Sequence, residues 1–286
     1  KADDQKYSYR KIKDTILTNN LGIGHKDNYS IASAERAFLD VVYFNTDYHF
    51  DNLSALNWDK VFETLPIYGG NKRMERAVKK LGLKGIMVIG SIQDEYLDKK
   101  KFWPIFAKAQ ELDIPVYIHP KIPPQNMIAQ YMDYPGLSQA LLGFAADASL
   151  HAMRLILSGV FEQYPGVKVI LGHLGEALPF WLWRMDSRFR EVMQADHEAS
   201  ECYKNFSKTP GQYFRDNFFV TTSGMFWAPA LEFVARVLGT DKIMYATDYP
   251  YESGEDVTTF IEESKLSKED KEKIYHRNAE RLFKLV

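Results

Sequence analysis

Val167-Lys168-Val169-Ile170-Leu171-Gly172-His173 is a near-continuous apolar run that stops on a glycine and a histidine. Strands buried on both faces of a parallel sheet have this composition, because neither face is left to carry polar residues. Two other runs end in the same manner. One is Val116-Tyr117-Ile118-His119-Pro120, whose proline cannot continue a central strand, and the other is Lys242-Ile243-Met244-Tyr245-Ala246-Thr247-Asp248. In a barrel of parallel strands the C-terminal strand ends converge on one mouth, where active sites sit. His119, His173 and Asp248 are therefore expected to be neighbours in space.

Helical segments separate these runs. Met74, Ala77, Val78 and Leu81 keep the i, i+3, i+4, i+7 spacing of an amphipathic helix that stops at Gly82. Further helices are expected around 102–112, over 149–163 up to Pro165-Gly166, and over 230–238. A last helix starts at Ser267, with Asp270 three residues on as a capping box, and runs to about Phe283. Gly85 to Ile89 and Phe218 to Thr222 read as strands. This alternation argues for a parallel sheet covered by helices, either a (β/α)8 TIM-like barrel or an open doubly wound sheet. No Gly-x-Gly-x-x-Gly follows a strand and no phosphate-binding Gly-x-x-x-x-Gly-Lys-Ser/Thr occurs, which removes weight from nucleotide-binding versions. Counting Phe38–Phe44 and Val61–Ile67 as strands gives ends near residues 45, 67, 90, 119, 173, 222 and 248. A closed barrel needs eight strands, so the first is expected to be irregular or incomplete. One domain over 1–286 is the economical division, with 1–60 its least regular part.

The chain has 286 residues, enough for a large core, with 45% hydrophobic and 26% charged residues, ordinary globular values. A net charge of −2 gives no electrostatic reason to expect nucleic acid or an anionic membrane as partner. The single cysteine, Cys202, forms no intrachain disulfide and builds no cysteine-rich zinc site. No apolar run approaches the ~18 residues of a membrane span. The expectation is a cytoplasmic protein.

His119 at a strand end is a candidate metal ligand, since neutral imidazole is the commonest one, and Asp248 offers the hard oxygen that suits Zn2+ or Mn2+. The plain alternatives are a satisfied strand-end histidine and a helix-capping aspartate. Glu176 follows His173 by three residues in Leu171-Gly172-His173-Leu174-Gly175-Glu176, within reach if a helix starts there. It would then fix the tautomer of His173 and raise its basicity; a Gly-His turn with a surface glutamate looks the same in sequence. Arg184 is a candidate for a substrate carboxylate, or for a structural ion pair. Asp47-Tyr48-His49 alternates an acid and a histidine on one face of an extended segment, as a metal site or as a polar turn would. His151, His197 and His276 read as surface or packing residues.

Ile118-His119-Pro120, Leu171 to Glu176 with Leu178-Pro179-Phe180 and Trp183-Arg184-Met185-Asp186, Ala246-Thr247-Asp248-Tyr249-Pro250 and the closing Asn278-Ala279-Glu280-Arg281-Leu282-Phe283 together resemble the decarboxylase branch of the amidohydrolase superfamily. That branch includes the aminocarboxymuconate-semialdehyde, γ-resorcylate and dihydroxybenzoate decarboxylases, and the likeness covers roughly residues 62–286. It implies a (β/α)8 barrel with one divalent metal, Zn2+ or Mn2+. By motif, His119 would be a ligand, Asp248 a ligand that also handles a proton, and His173 the base or electrostatic partner, with Glu176 behind it. These enzymes carry an acid-x-His or His-x-His pair on their first strand. Nothing in the first 45 residues matches it, and Asp47-Tyr48-His49 is the nearby candidate.

The function so implied is metal-dependent, non-oxidative decarboxylation of an aromatic or unsaturated, hydroxybenzoate-like acid by a homodimer or homotetramer. Two alternatives stand beside it. One is a hydrolase or hydratase using metal-activated water on the same residues. The other is a catalytically degenerate barrel that serves as a binding partner.

Overall fold

The computed structural model describes residues 12–26, 29–44, 56–68, 84–195, 198–252 and 258–285. They fall into two compact units, divided between Leu83 and Lys84.

In the N-terminal unit a short helix α1 (Asp14–Leu17) precedes an antiparallel pair, β1 (Ile23–Lys26) with β2 (Tyr29–Ala32), and helices α2 (Ala34–Phe44) and α3 (Trp58–Thr64) follow. The segments expected as strands at 38–44 and 61–67 are thus helical. Phe38, Leu39 and Val42 lie on one face of α2 and form a buried cluster with Ile16, Val61 and Tyr68. Burial of that helical stripe outweighs the β propensity of Val-Val-Tyr-Phe. The second segment is started by a cap, since the Asn57 side chain accepts from Lys60 N at 3.2 Å, and it ends in a 3-10 turn over Leu65–Tyr68. The expected helix at Met74–Leu81 and the Asp47/His49 pair lie outside the described residues.

The second unit is built on a parallel sheet in sequential order: β3 (Ile86–Ile89), β4 (Val116–His119), β5 (Val169–Leu171), β6 (Phe218–Thr221) and β7 (Ile243–Met244). Helices α4 (Trp103–Leu112), α5 (Gly143–Ser158), α6 (Val160–Gln163), α7 (Leu178–Gln194), α8 (Glu198–Tyr203), α9 (Pro210–Asn217) and α10 (Ala228–Leu238) separate these strands or follow them. Helices α11 (Thr259–Glu263), α12 (Lys268–Glu272) and α13 (Asn278–Phe283) close the chain, the last two joined by a π turn. Ser267 caps α12 through Asp270 N, as its sequence suggests.

Alternation along the strands sorts the residues. Val116, Ile118, Val169, Leu171, Phe218, Val220 and Ile243 enter the main core. Ile170, Phe219 and Met244 enter a second cluster, with Tyr117 and with Ala279, Leu282 and Phe283 of α13 against them. Among the described residues no strand pairs with the outer edge of β3 or β7, and the five strands form one open sheet. Met87 and Ile89 of the edge strand β3 are exposed. No helix among the described residues is long and apolar enough to cross a membrane.

Candidate active site

Register sets the level of the site. Ile118 pairs with Leu171, Leu171 with Val220, and Val220 with Ile243, so His119, Gly172 and Thr221 share the next level at the C-terminal end of the sheet. His119 is the last residue of β4 and is half-buried. Its Nδ1 lies 2.9 Å from the Pro120 carbonyl oxygen. A carbonyl only accepts, so Nδ1 carries the proton there and Nε2 keeps a free lone pair.

His173 sits two residues beyond β5 in a turn of unusual hand. The backbone φ angles of His173, Leu174, Gly175, Glu176 and Ala177 are 50, 53, 87, 55 and 61°, all in the left-handed region. The sequence brought Glu176 within reach of His173 on condition that a helix starts here; the chain makes a left-handed turn instead. It still delivers the expected contact: His173 Nδ1 donates to Glu176 Oε1 at 2.7 Å. Glu176 is buried, not a surface residue, and its other oxygen, Oε2, has no hydrogen-bond partner among the described residues. On the far side of the ring, His173 Nε2 lies 3.7 Å from Asp248 Oδ2.

Asp248 stands four residues past β7, further than the sequence implied. A threonine bridges the gap. Thr222 Oγ1 accepts from Ala246 N at 3.0 Å and donates to Ala246 O at 2.9 Å, which extends the strand pairing through a side chain. Asp248 then turns at φ 62°, a conformation aspartate tolerates better than most residues. No helix starts at the described residues 249–252 that follow it, so a capping role does not account for it.

The surroundings of His173 and Glu176 set their charge. Burial pulls the His173 pKa down, but the hydrogen bond and charge of Glu176, with the charge of Asp248, outweigh it and raise the imidazole above its usual value. Burial raises Glu176, while His173 and then His119 pull it the other way. Joined by this hydrogen bond, the imidazole and the carboxyl titrate as a pair.

A divalent ion fits two of these residues by donor chemistry: His119 presents an unprotonated Nε2, and Asp248 a partly exposed carboxylate on the same side as His173. Among the described residues no three His, Cys, Asp or Glu side chains group closely enough to hold an ion alone. The expected ligands Asp47 and His49, and with them any completion of the site, lie outside those residues. Arg184 is exposed on α7 and makes no ion pair among the described residues. Of the remaining histidines, His151 is fully buried and His276 pairs with Glu280 on the surface, while His197 lies outside the described residues.

Imidazole and carboxylate groups gathered at the C-terminal ends of sequential parallel strands are where a (β/α)8-barrel fold places its active site. The chain belongs to the amidohydrolase family, whose pattern matches residues 65–285. It is 35% identical over 225 residues to a γ-resorcylate decarboxylase of Polaromonas sp. (strain JS666), an alignment covering 75% of this chain and 66% of that protein. A solved 2,6-dihydroxybenzoate decarboxylase from Rhizobium superposes with a TM-score of 0.70 at 30% identity, over 88% of this chain and 76% of the other. A 5-carboxyvanillate decarboxylase from Novosphingobium aromaticivorans, complexed with manganese and 4-hydroxy-3-methoxy-5-nitrobenzoic acid, gives 0.68 at 38% identity, over 74% and 60%. The chain thus spans about two-thirds of the length of such relatives.

Sequence reasoning missed Thr222, Ser223 and Ser149, whose hydroxyls hold the site's backbone. Thr221-Thr222-Ser223-Gly224, a polar cluster directly after an apolar strand at the mouth, was the available signal.

Proposed function

We propose that this protein catalyses non-oxidative decarboxylation of a hydroxybenzoate-like aromatic acid. The observation that carries the reading is the His173–Glu176 pair aimed at Asp248, with His119 on the neighbouring strand end. The relatives' names supply the substrate class.

A divalent ion, Zn2+ or Mn2+, at His119 and Asp248 would supply a positive charge for the substrate carboxylate and an adjacent oxygen. Asp47 and His49 are the candidates to complete its ligand set. The protein's own groups manage the proton. His173, kept protonated by Glu176, faces Asp248 and recharges it after each transfer. Asp248 delivers the proton to the ring carbon that bears the carboxylate. The C–C bond then breaks, its electron pair restores the conjugated ring, and CO2 leaves. Arg184 is assigned to an anionic substrate group, exposed Phe180, Trp181 and Trp183 beside it support a homodimer or homotetramer, and the single cysteine suits a reducing cytoplasm.

The test is product analysis with purified protein, Mn2+ or Zn2+, and a panel of mono- and dihydroxybenzoates. Expected is CO2 release in equal amount to the phenol formed, abolished by a chelator and restored by the ion. A hydrated or ring-opened product, or no turnover on any member with bound metal, sinks the reading.

A further inference from the structure

The left-handed turn at His173–Ala177 is held at both ends by serines that the proposed chemistry does not use. Each non-glycine residue in left-handed geometry costs about 1–2 kcal/mol. His173, Leu174, Glu176 and Ala177 all adopt it. Such a conformation persists only where its surroundings over-determine it.

Two restraints lie within the turn. Gly175 N donates to Gly172 O at 2.7 Å, and the Leu174 side chain is buried in the main core. The other two come from distant elements. At the N-terminal end, His173 N points at Ser223 Oγ, 3.5 Å away. Ser223 is buried and does not float: its Oγ is 2.9 Å from Thr221 Oγ1, which is 3.2 Å from the Tyr117 hydroxyl. This string of hydroxyls runs across β6 and β4 to reach the turn. At the C-terminal end, Ser149 Oγ on α5 lies 2.6 Å from Glu176 O. The same hydroxyl is 2.6 Å from Ala145 O, the usual partner of a helical serine. With one hydrogen for two carbonyls, each bond to Glu176 is made at the expense of the helix's own.

We propose that Ser149 and Ser223 are positioning residues that clamp this turn at its two ends, so that His173 keeps Nδ1 on Glu176 and Nε2 toward Asp248. The residues so positioned are the two ends of one hydrogen-bonded pair, which neither serine touches with a catalytic atom. The catalytic consequence rests on the decarboxylase reading; the geometric one does not.

The experiment uses full-length Ser149→Ala and Ser223→Ala proteins, with Ser149→Cys and Ser223→Cys, close in size, in place of an alanine variant that does not fold. Two readouts are taken: the imidazole 15N signals of His173, assigned by their loss in His173→Ala, and kcat and KM on the hydroxybenzoate panel. Expected in each variant are imidazole 15N signals moved from their wild-type positions, with kcat lower by about tenfold at nearly constant KM, the scale of a small misplacement. Ser149→Thr, which keeps the hydroxyl, should recover both. Unmoved His173 signals in folded variants overturn the clamp, whatever happens to turnover. Moved signals in a protein that decarboxylates nothing leave the clamp standing and remove the decarboxylase reading instead.

Discussion

His173 and His151 are held in the same β/α unit, and burial acts on both, yet they titrate in opposite directions. His173 has a carboxylate oxygen 2.7 Å from Nδ1 and a second one 3.7 Å from Nε2. His151, on α5, is fully buried, takes one backbone hydrogen bond from Leu97 N at 3.1 Å, and has no partner at Nδ1 among the described residues. Since Nε2 accepts that bond, the neutral ring is the one the site holds. Burial drives its pKa down to about 4, with Asp98 and Arg154 nearby largely opposing each other. Asp98 is spent on Arg154, which it binds at 3.0 and 2.7 Å. Burial alone, then, makes a silent histidine; a committed carboxylate makes one that carries a proton.

The hardest break of this contrast is removal of the proton-carrying side. His173→Ala and Asp248→Asn should each lower kcat by at least ~100-fold, the scale of a lost acid–base group. His151→Gln should leave kcat within about twofold. Near-normal turnover in either of the first two refutes its assigned role.

A subtler change converts one histidine into the other. Glu176→Gln keeps the shape and removes the charge that offsets burial, so the His173 pKa should fall below its usual value. About 10–100-fold in kcat should go with it, as when the orienting partner of an active imidazole is lost. An NMR titration of His173 reads the shift directly, and an unmoved pKa would show that Asp248 alone sustains it.

The silent histidine has its own signature in stability. Its folded pKa of about 4 lies below the ordinary 6.5, so the unfolded chain binds more protons between those values. Stability is therefore fully present above pH 6.5 and is lost as pH falls, by about 2 kcal/mol at pH 5 from this group. His173 has the opposite sign: its raised pKa adds stability below 6.5 that fades as pH rises through the folded value. Urea midpoints at pH 7.5 and 5 for wild type and His151→Gln give the difference. Equal losses in the two proteins would mean that His151 is not buried neutral.

How far the sequence foretold these outcomes depends on whether the deciding contact is local. The strands ending at His119, Leu171 and Thr221 are near-continuous apolar runs with their own stop signals, and their pattern needs nothing distant to be read. The contact of His173 with Glu176 is three residues long and was readable too. The hand of the turn was not, because Leu174, Glu176 and Ala177 have no preference for left-handed geometry and adopt it under pressure from elsewhere. That pressure comes through Ser223 and Ser149, 50 and 27 residues away, and serine is too common a residue for its pattern to announce such a role. At Phe38–Val42 the local signal itself misled: aromatic and β-branched residues favour a strand, and a shared buried face with Ile16 and Val61 made a helix.

The smallest effect expected at the site separates shape from strain. Gly224 has φ 61°, and a Cβ there would stand 2.7 Å from His173 Cδ2, 3.0 Å from Nε2 and 3.4 Å from Asp248 Oδ2. The ring would have to leave its place between Glu176 and Asp248, since the methyl group is fixed to the backbone. Gly224→Ala should then lower kcat by about tenfold. It should also lose about 1–2 kcal/mol of stability from left-handed alanine. Gly136→Ala isolates the second term, because Gly136 has φ 82° and nothing within 4 Å of its would-be Cβ. Both variants should therefore unfold at lower urea than wild type, and only Gly224→Ala should lose turnover. A loss of kcat in both would trace the effect to backbone strain at large; a loss in neither would mean the imidazole has room that its contacts with Glu176 and Asp248 do not require.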